Sequence, residues 1–399
     1  MSTSSTSTSH SREIPSSEVL TLKEHTNKIL FLLPGEISCY NEMPRTVKCN
    51  VFTANNAIPN ISCTNFFLLF AYPSEEFRIW HINDGIYGSN LRVESTRALL
   101  LNNVPKVGVG LKYNAALDWN KDGTLLATGS FDGKARIWRI SGELESTISE
   151  HTEAITALKW NKNNSYILTG SIDKTAYVWD VENSTMKQFH YHAGCVNDVD
   201  WRDKDYYATG SSDRTIDVCK IGEILPIKTF IGHQDIVNCV KWDPTGSVLA
   251  SCSCDSTVKI WSMEKDQCVH NFKNHEKGVC FIRWSPTGPD TDNPNQPSIL
   301  ASGSKDSTVK LWDVEQGKLL CSLNGHWDTI SCLAFSPNGE YLASGSQGQI
   351  NIWSVKEKYL IRSYIGQSGG VAGVCWDKEG NKIAAGFADG SVCFLNFRM

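Results

Sequence analysis

Three residue sets in this chain have the types found in a hydrolytic centre. His151, Thr169 and Asp173 form the first, His233, Ser251 and Asp255 the second, and His275, Ser302 and Asp306 the third. A histidine that meets both a hydroxyl and a carboxylate can activate an oxygen nucleophile. His190 and His192 share one face of an extended segment, as a metal pair would, and so do Cys252 and Cys254. Repetition argues against catalysis, because a reaction centre is not copied along a chain. A Trp completes each set (Trp179, Trp261 and Trp312), and a buried hydrogen-bond network of His, Asp, hydroxyl and indole N–H accounts for all four types. His192 stands at the same repeat position as the other histidines, and Cys252 and Cys254 have no CxxC or HxxxH partners. The residues therefore predict no catalytic group, no metal and no cofactor.

What must position these sets is a repeat. Trp119, Trp160, Trp201, Trp242, Trp284, Phe335 and Trp376 are separated by 41, 41, 41, 42, 51 and 41 residues. A second marker (Trp138, Trp179, Cys219, Trp261, Trp312, Trp353, Leu395) follows the first by 18 or 19 residues, except for one gap of 28. A single Pro/Asn/Asp-rich insertion, Gly288 to Ser298, explains both long intervals. Within a unit, AITALKW, YILTGS and AYVWD read as strands separated by NKNNS and IDKT turns, with a fourth strand before the next His. Four strands in about 41 residues, ending in W-D, are the signature of a WD-repeat β-propeller blade.

The fold class predicted is all-β: a WD-repeat propeller of eight blades with an irregular first blade. Residues 113–399 supply seven regular blades. Residues 17–112 supply a degenerate blade and linker, with Phe66–Tyr72 and Phe77–Ile82 as strands. Residues 1–16, rich in Ser and Thr, are expected to be disordered. Because the last unit ends on its third strand, residues 17–22 are expected to close the ring as its fourth.

Net charge is −5, which argues against a broad nucleic-acid footprint. No apolar run reaches membrane-spanning length and no secretory signal opens the chain. The 14 cysteines lack paired spacing and read as small buried hydrophobes in a reducing compartment.

IVNCVKWDPTGSVLASCSCDSTVKIWSM, IRWSPTGP, NPN and LASGSKDSTVKLWDVEQG resemble the transducin beta-like protein one family, including its plant relatives, from about Asn114 to Met399. The resemblance implies a nuclear, non-catalytic scaffold of a histone-deacetylase corepressor complex on chromatin. Its partners would be a corepressor, a deacetylase and histone tails, with links to the ubiquitin pathway. The family's N-terminal LisH and F-box-like segments have no counterpart here. Propeller partners gather where inner strands begin and turns converge. This places a candidate face at Phe131, Thr156, Ile172, Asn197, Asn238, Cys280, Lys305 and Ser331. A substrate receptor of a cullin-type ubiquitin ligase is the alternative, and WDVEN and WDVEQ lack the Arg of the W-D-x-R that such receptors often carry.

Overall fold

The computed structural model describes the backbone of residues 12–13, 19–22, 50–53, 65–71, 76–83 and 97–102. From Asn114 on it describes all but 131, 288–292, 295, 388–391 and 398–399; side chains are described from Ala116, apart from 366–369, 392 and 394. Every described regular element is a strand.

The unit from Ile155 shows how the repeat becomes a sheet. Ile155–Trp160, Tyr166–Ser171, Thr175–Asp180 and Thr185–Tyr191 pair antiparallel in that order. The innermost strand, ITALKW, is buried almost throughout, while the outermost, TMKQFHY, is mostly exposed. Five such sheets follow one another from Asn114 to Asn324. Each sheet buries its apolar face against the next. One cluster joins Ala127, Ala135 and Ile137 of one blade to Ile155, Leu158 and Ile167 of its neighbour. The core therefore lies in the seams between blades.

Punctuation fails after Asn324, and the sheets fuse. The sixth unit reads GSQGQI where three others have GSIDKT, GSSDRT and GSKDST, and no His follows IRSYIGQSGG. Without these stops the chain runs on as two long strands, Tyr341–Ser354 and Leu360–Trp376, giving one seven-stranded sheet in place of two blades.

Val19–Leu22 pairs antiparallel with Val392–Asn396 at the far end of that sheet, Val19 opposite Leu395. Asn50–Thr53, Asn65–Ala71, Glu76–Asn83 and Arg97–Asn102 form a further four-stranded sheet with Trp80 opposite Leu68 and Ala98. The sheets are thus consistent with eight blades. One departure from the sequence reading lies in the tail. Arg12–Glu13, within the segment expected to be disordered, forms a short parallel strand on Arg362 and Ser363. The reason is the unpaired outer edge of Leu360–Trp376, which offers free backbone groups. The remainder of 1–16 lies outside the described residues.

Candidate partner-binding face and its buried supports

Each turn between second and third strand is organised by its Asp. Asp173 accepts the backbone N–H of Thr152 at 2.9 Å and of Thr175 at 3.0 Å, with His151 Nδ1 at 2.9 Å. One carboxylate therefore ties the turn to the loop entering the innermost strand. Asp213, Asp255 and Asp306 repeat this with His192, His233 and His275 at 2.9, 2.9 and 2.7 Å. Burial alone would raise these carboxyl pKa values, but the His and turn hydrogen bonds outweigh it and hold all four well below the usual range. The residue after each Asp takes the left-handed conformation: Gly133, Lys174, Arg214, Ser256 and Ser307 have φ between 65° and 75°. Only the glycine adopts it without steric cost, so the Asp contacts hold four other residues there.

The hydroxyls divide by type. Ser251 meets His233 Nε2 at 2.7 Å and accepts Trp261 Nε1–H at 2.8 Å. Ser302 does the same for His275 (2.7 Å) and Trp312 (2.8 Å). Thr169 meets His151 Nε2 at 2.8 Å, yet the buried Trp179 Nε1 has no hydrogen-bond partner, so the set expected there lacks its indole bond. Thr128 takes Trp138 (3.0 Å), and Thr209 takes His192 (2.7 Å) where Cys219 replaces the Trp. A branched Cβ restricts χ1, and Thr169 Oγ1 is turned toward His151 Nε2 and Tyr177 O (3.5 Å) and not toward the Trp179 indole. Sequence reading missed a further set: His326 meets Ser344 at 2.6 Å and Ser346 at 2.8 Å, and Trp353 donates to Ser344 at 2.7 Å. Ser346 fills the role of the missing Asp. These histidines and hydroxyls are buried, so no substrate reaches them.

Half of the expected face is not a face. Thr156, Asn197, Asn238 and Cys280 are all buried. Each sits at a β-bulge that shifts the register at the start of its innermost strand. A bulge re-aims a side chain, and here it aims into the next blade. Thr156 Oγ1 donates to Val196 O, Asn197 Nδ2 to Val237 O at 2.9 Å, and Asn238 Nδ2 to Val279 O at 2.7 Å. Ser331 Oγ reaches Val371 O at 2.6 Å while staying partly exposed. Polar residues recurring at one register were the signal available for this clasp. Ile172 and Lys305 remain partly exposed at their turns, and Phe131 lies outside the described residues.

The loops and turns of the same rim present groups the sequence reading did not single out. Trp327, next to buried His326, is 57% exposed, and its indole N–H donates to Gln347 O at 3.0 Å. That bond fixes the ring in solvent. Lys174 and Arg214 are exposed beside the turn Asp residues. A second apolar area lies on the outer wall, where Ile224 and Leu225 border a hollow of about 570 Å³ with Tyr206, Lys220 and Ile227.

The first aromatic markers also clasp neighbours. Trp160, Trp201, Trp284 and Trp376 donate Nε1–H to Asp118, Lys159, Lys241 and Ala334 carbonyls of the preceding blade at 2.9–3.1 Å.

The domain family described as "WDHD1 first WD40 domain" matches residues 192–394, and "WD domain, G-beta repeat" matches 115–139 and 142–180. The chain is 52% identical over 81% of its length to the WD40 repeat-containing protein HOS15 of Arabidopsis thaliana, covering 53% of that protein. It is 47% identical over 80% of its length to the F-box-like/WD repeat-containing protein TBL1X of Mus musculus, covering 61% of it. The chain thus spans just over half the length of these relatives. The crystal structure of the C-terminal WD40 domain of Sif2 superposes with a TM-score of 0.72 at 23% identity, covering 84% of this chain and 93% of that one, a likeness of fold.

Proposed function

Because the chain belongs to the transducin beta-like protein one family of F-box-like/WD-repeat proteins, with its plant relative HOS15, we propose that it serves in the nucleus as a non-catalytic subunit of a histone-deacetylase corepressor complex. In this reading it holds short peptide segments, histone tails among them, against the rim of turn Asp residues and entering loops. The observation that carries the reading is Trp327. A large aromatic ring, 57% exposed and fixed by its own hydrogen bond, is a preorganised anchor for a peptide side chain. Partly exposed Ile172, Lys305 and Ser331 offer apolar and polar contacts on the same kind of turn and strand start.

Affinity purification of the tagged chain from its own cells tests the reading, with partners identified by mass spectrometry. A deacetylase and a corepressor should be recovered. Trp327→Ala should weaken histone-peptide capture roughly tenfold or more, the scale of a buried aromatic anchor. Recovery of a cullin adaptor with no deacetylase would replace this reading with that of a ubiquitin-ligase receptor.

A further inference from the structure

The blade in which Cys219 replaces the second Trp marker holds a different set of polar residues in the space beside it. Cys219 stands where neighbouring blades have Trp179 and Trp261. Asp217, two residues earlier on the strand Thr215–Lys220, occupies the register filled elsewhere by Arg136, Tyr177, Lys259, Lys310 and Asn351. Opposite it, His190 on the outermost strand of the preceding blade places Nε2 2.8 Å from Asp217 Oδ2. His192 Nε2 lies 3.7 Å from the same oxygen. One ligand atom from each of the three lies within 4.8 Å of the other two, and all three residues are buried.

The surroundings are those of a ligand set. His192 Nδ1 is 2.9 Å from the Asp213 carboxylate, which orients the ring so that Nε2 faces Asp217. A carboxylate behind a histidine is the usual orienting contact of a metal ligand. Thr229 Oγ1 donates to Asp217 Oδ1 at 2.5 Å, fixing the second ligand from behind. Thr209 Oγ1 lies 2.7 Å from His192 Nε2, so a hydroxyl stands at the edge of the same space. No indole N–H competes for that hydroxyl in this blade.

We propose that His190, His192 and Asp217 bind one zinc ion, which staples two adjacent blades together. Two imidazoles and a carboxylate suit zinc, with a water or the Thr209 hydroxyl as fourth ligand. The site is structural: it replaces, by coordination, the cross-blade packing that Trp gives elsewhere.

The full-length protein, stripped with chelator, is titrated with Co2+ and then Zn2+. The expected result is one equivalent of Co2+ with visible ligand-field absorption that Zn2+ abolishes, together with a higher melting temperature on adding Zn2+. His190→Gln and Asp217→Asn should lower affinity at least tenfold, while His233→Gln, in another blade, should leave the stoichiometry unchanged. No binding by the wild-type chain, or equal binding by both site variants, overturns the proposal and leaves His190 as a packing replacement for the missing Trp. If a site variant fails to fold, the His190 and His192 ring signals of the wild-type protein decide by NMR. Both should shift with one equivalent of Zn2+; shifts in neither overturn the site.

Discussion

Serine and threonine are not equivalent beneath the turn Asp residues. Ser251 serves His233 and Trp261 together, whereas Thr169 serves His151 and the Tyr177 carbonyl and leaves Trp179 Nε1 unsatisfied. Thr169→Ser should therefore free the hydroxyl to accept the indole and stabilise the fold by up to about 1 kcal/mol, the net value of one buried hydrogen bond. Ser251→Ala should cost about 2–4 kcal/mol, because it strands a histidine and an indole at once. Urea midpoints with unchanged m-values measure both, and a neutral Thr169→Ser would remove the shared-hydroxyl explanation. His326 sets a pH dependence of its own. Burial pulls its pKa down to about 4, while the unfolded chain takes up the proton near 6.5. The fold resists a proton that the unfolded state accepts, so this contribution is complete above about pH 6.5 and falls away toward pH 4. The swing is on the order of 3 kcal/mol. His326→Gln should flatten the stability profile between pH 6.5 and 4 relative to wild type. Equal slopes in the two proteins would contradict this.

At the scale of strands and sheets, close packing between blades depends on a gap in the second strand. A Cβ added at Gly303 would lie 2.5 Å from Ile330 Cγ2 of the next blade, and one at Gly129 would lie 2.5 Å from Ile155 Cγ2. Gly303→Ala should cost about 1–3 kcal/mol through overpacking, read as a lower urea midpoint; in a chain that also carries Ile330→Ala, which removes the Cγ2 methyl the new Cβ would meet, the added cost of Gly303→Ala should shrink. The blade period was legible in the sequence because Trp119, Trp160 and their successors mark each innermost strand, and because turn Asp residues punctuate the rest. The missing Asp at Gln347 was also visible, but the fusion of strands that follows from it depends on pairing across the chain. Thr156, Asn197 and Asn238 were located correctly on the innermost strand and misjudged in direction. A bulge turns them inward, and no residue type there announces one. The Thr169 bond to His151 followed from spacing, whereas the missing indole bond at Trp179 depends on a rotamer, which spacing does not encode.

At the scale of the molecule, Val19–Leu22 lies on Val392–Asn396, and Arg12–Glu13 lies on the strand Leu360–Trp376. One double sheet therefore holds strands from within residues 12–22 and from within residues 360–396. Deleting residues 1–25 should expose the edge of Val392–Asn396 and lower the melting temperature of the whole protein by a few degrees, which in a chain of this length corresponds to a loss of a few kcal/mol, about 1 °C per kcal/mol. Calorimetry of the truncated and full chains makes the comparison, and coincident transitions would refute a closing role for that strand.

The same pairing has a consequence for biosynthesis. Val19 meets Leu395, a residue that is synthesised some 376 positions later. At bacterial-to-eukaryotic elongation rates, the closing strand waits roughly 20 s to over a minute for its partner. Through that interval a nascent chain already rich in folded sheets carries an unpaired apolar strand, Val-Leu-Thr-Leu. Such a chain is a natural client for holding chaperones, and a ribosome that stalls late in the message leaves an open ring with a sheet edge free to pair with another nascent chain.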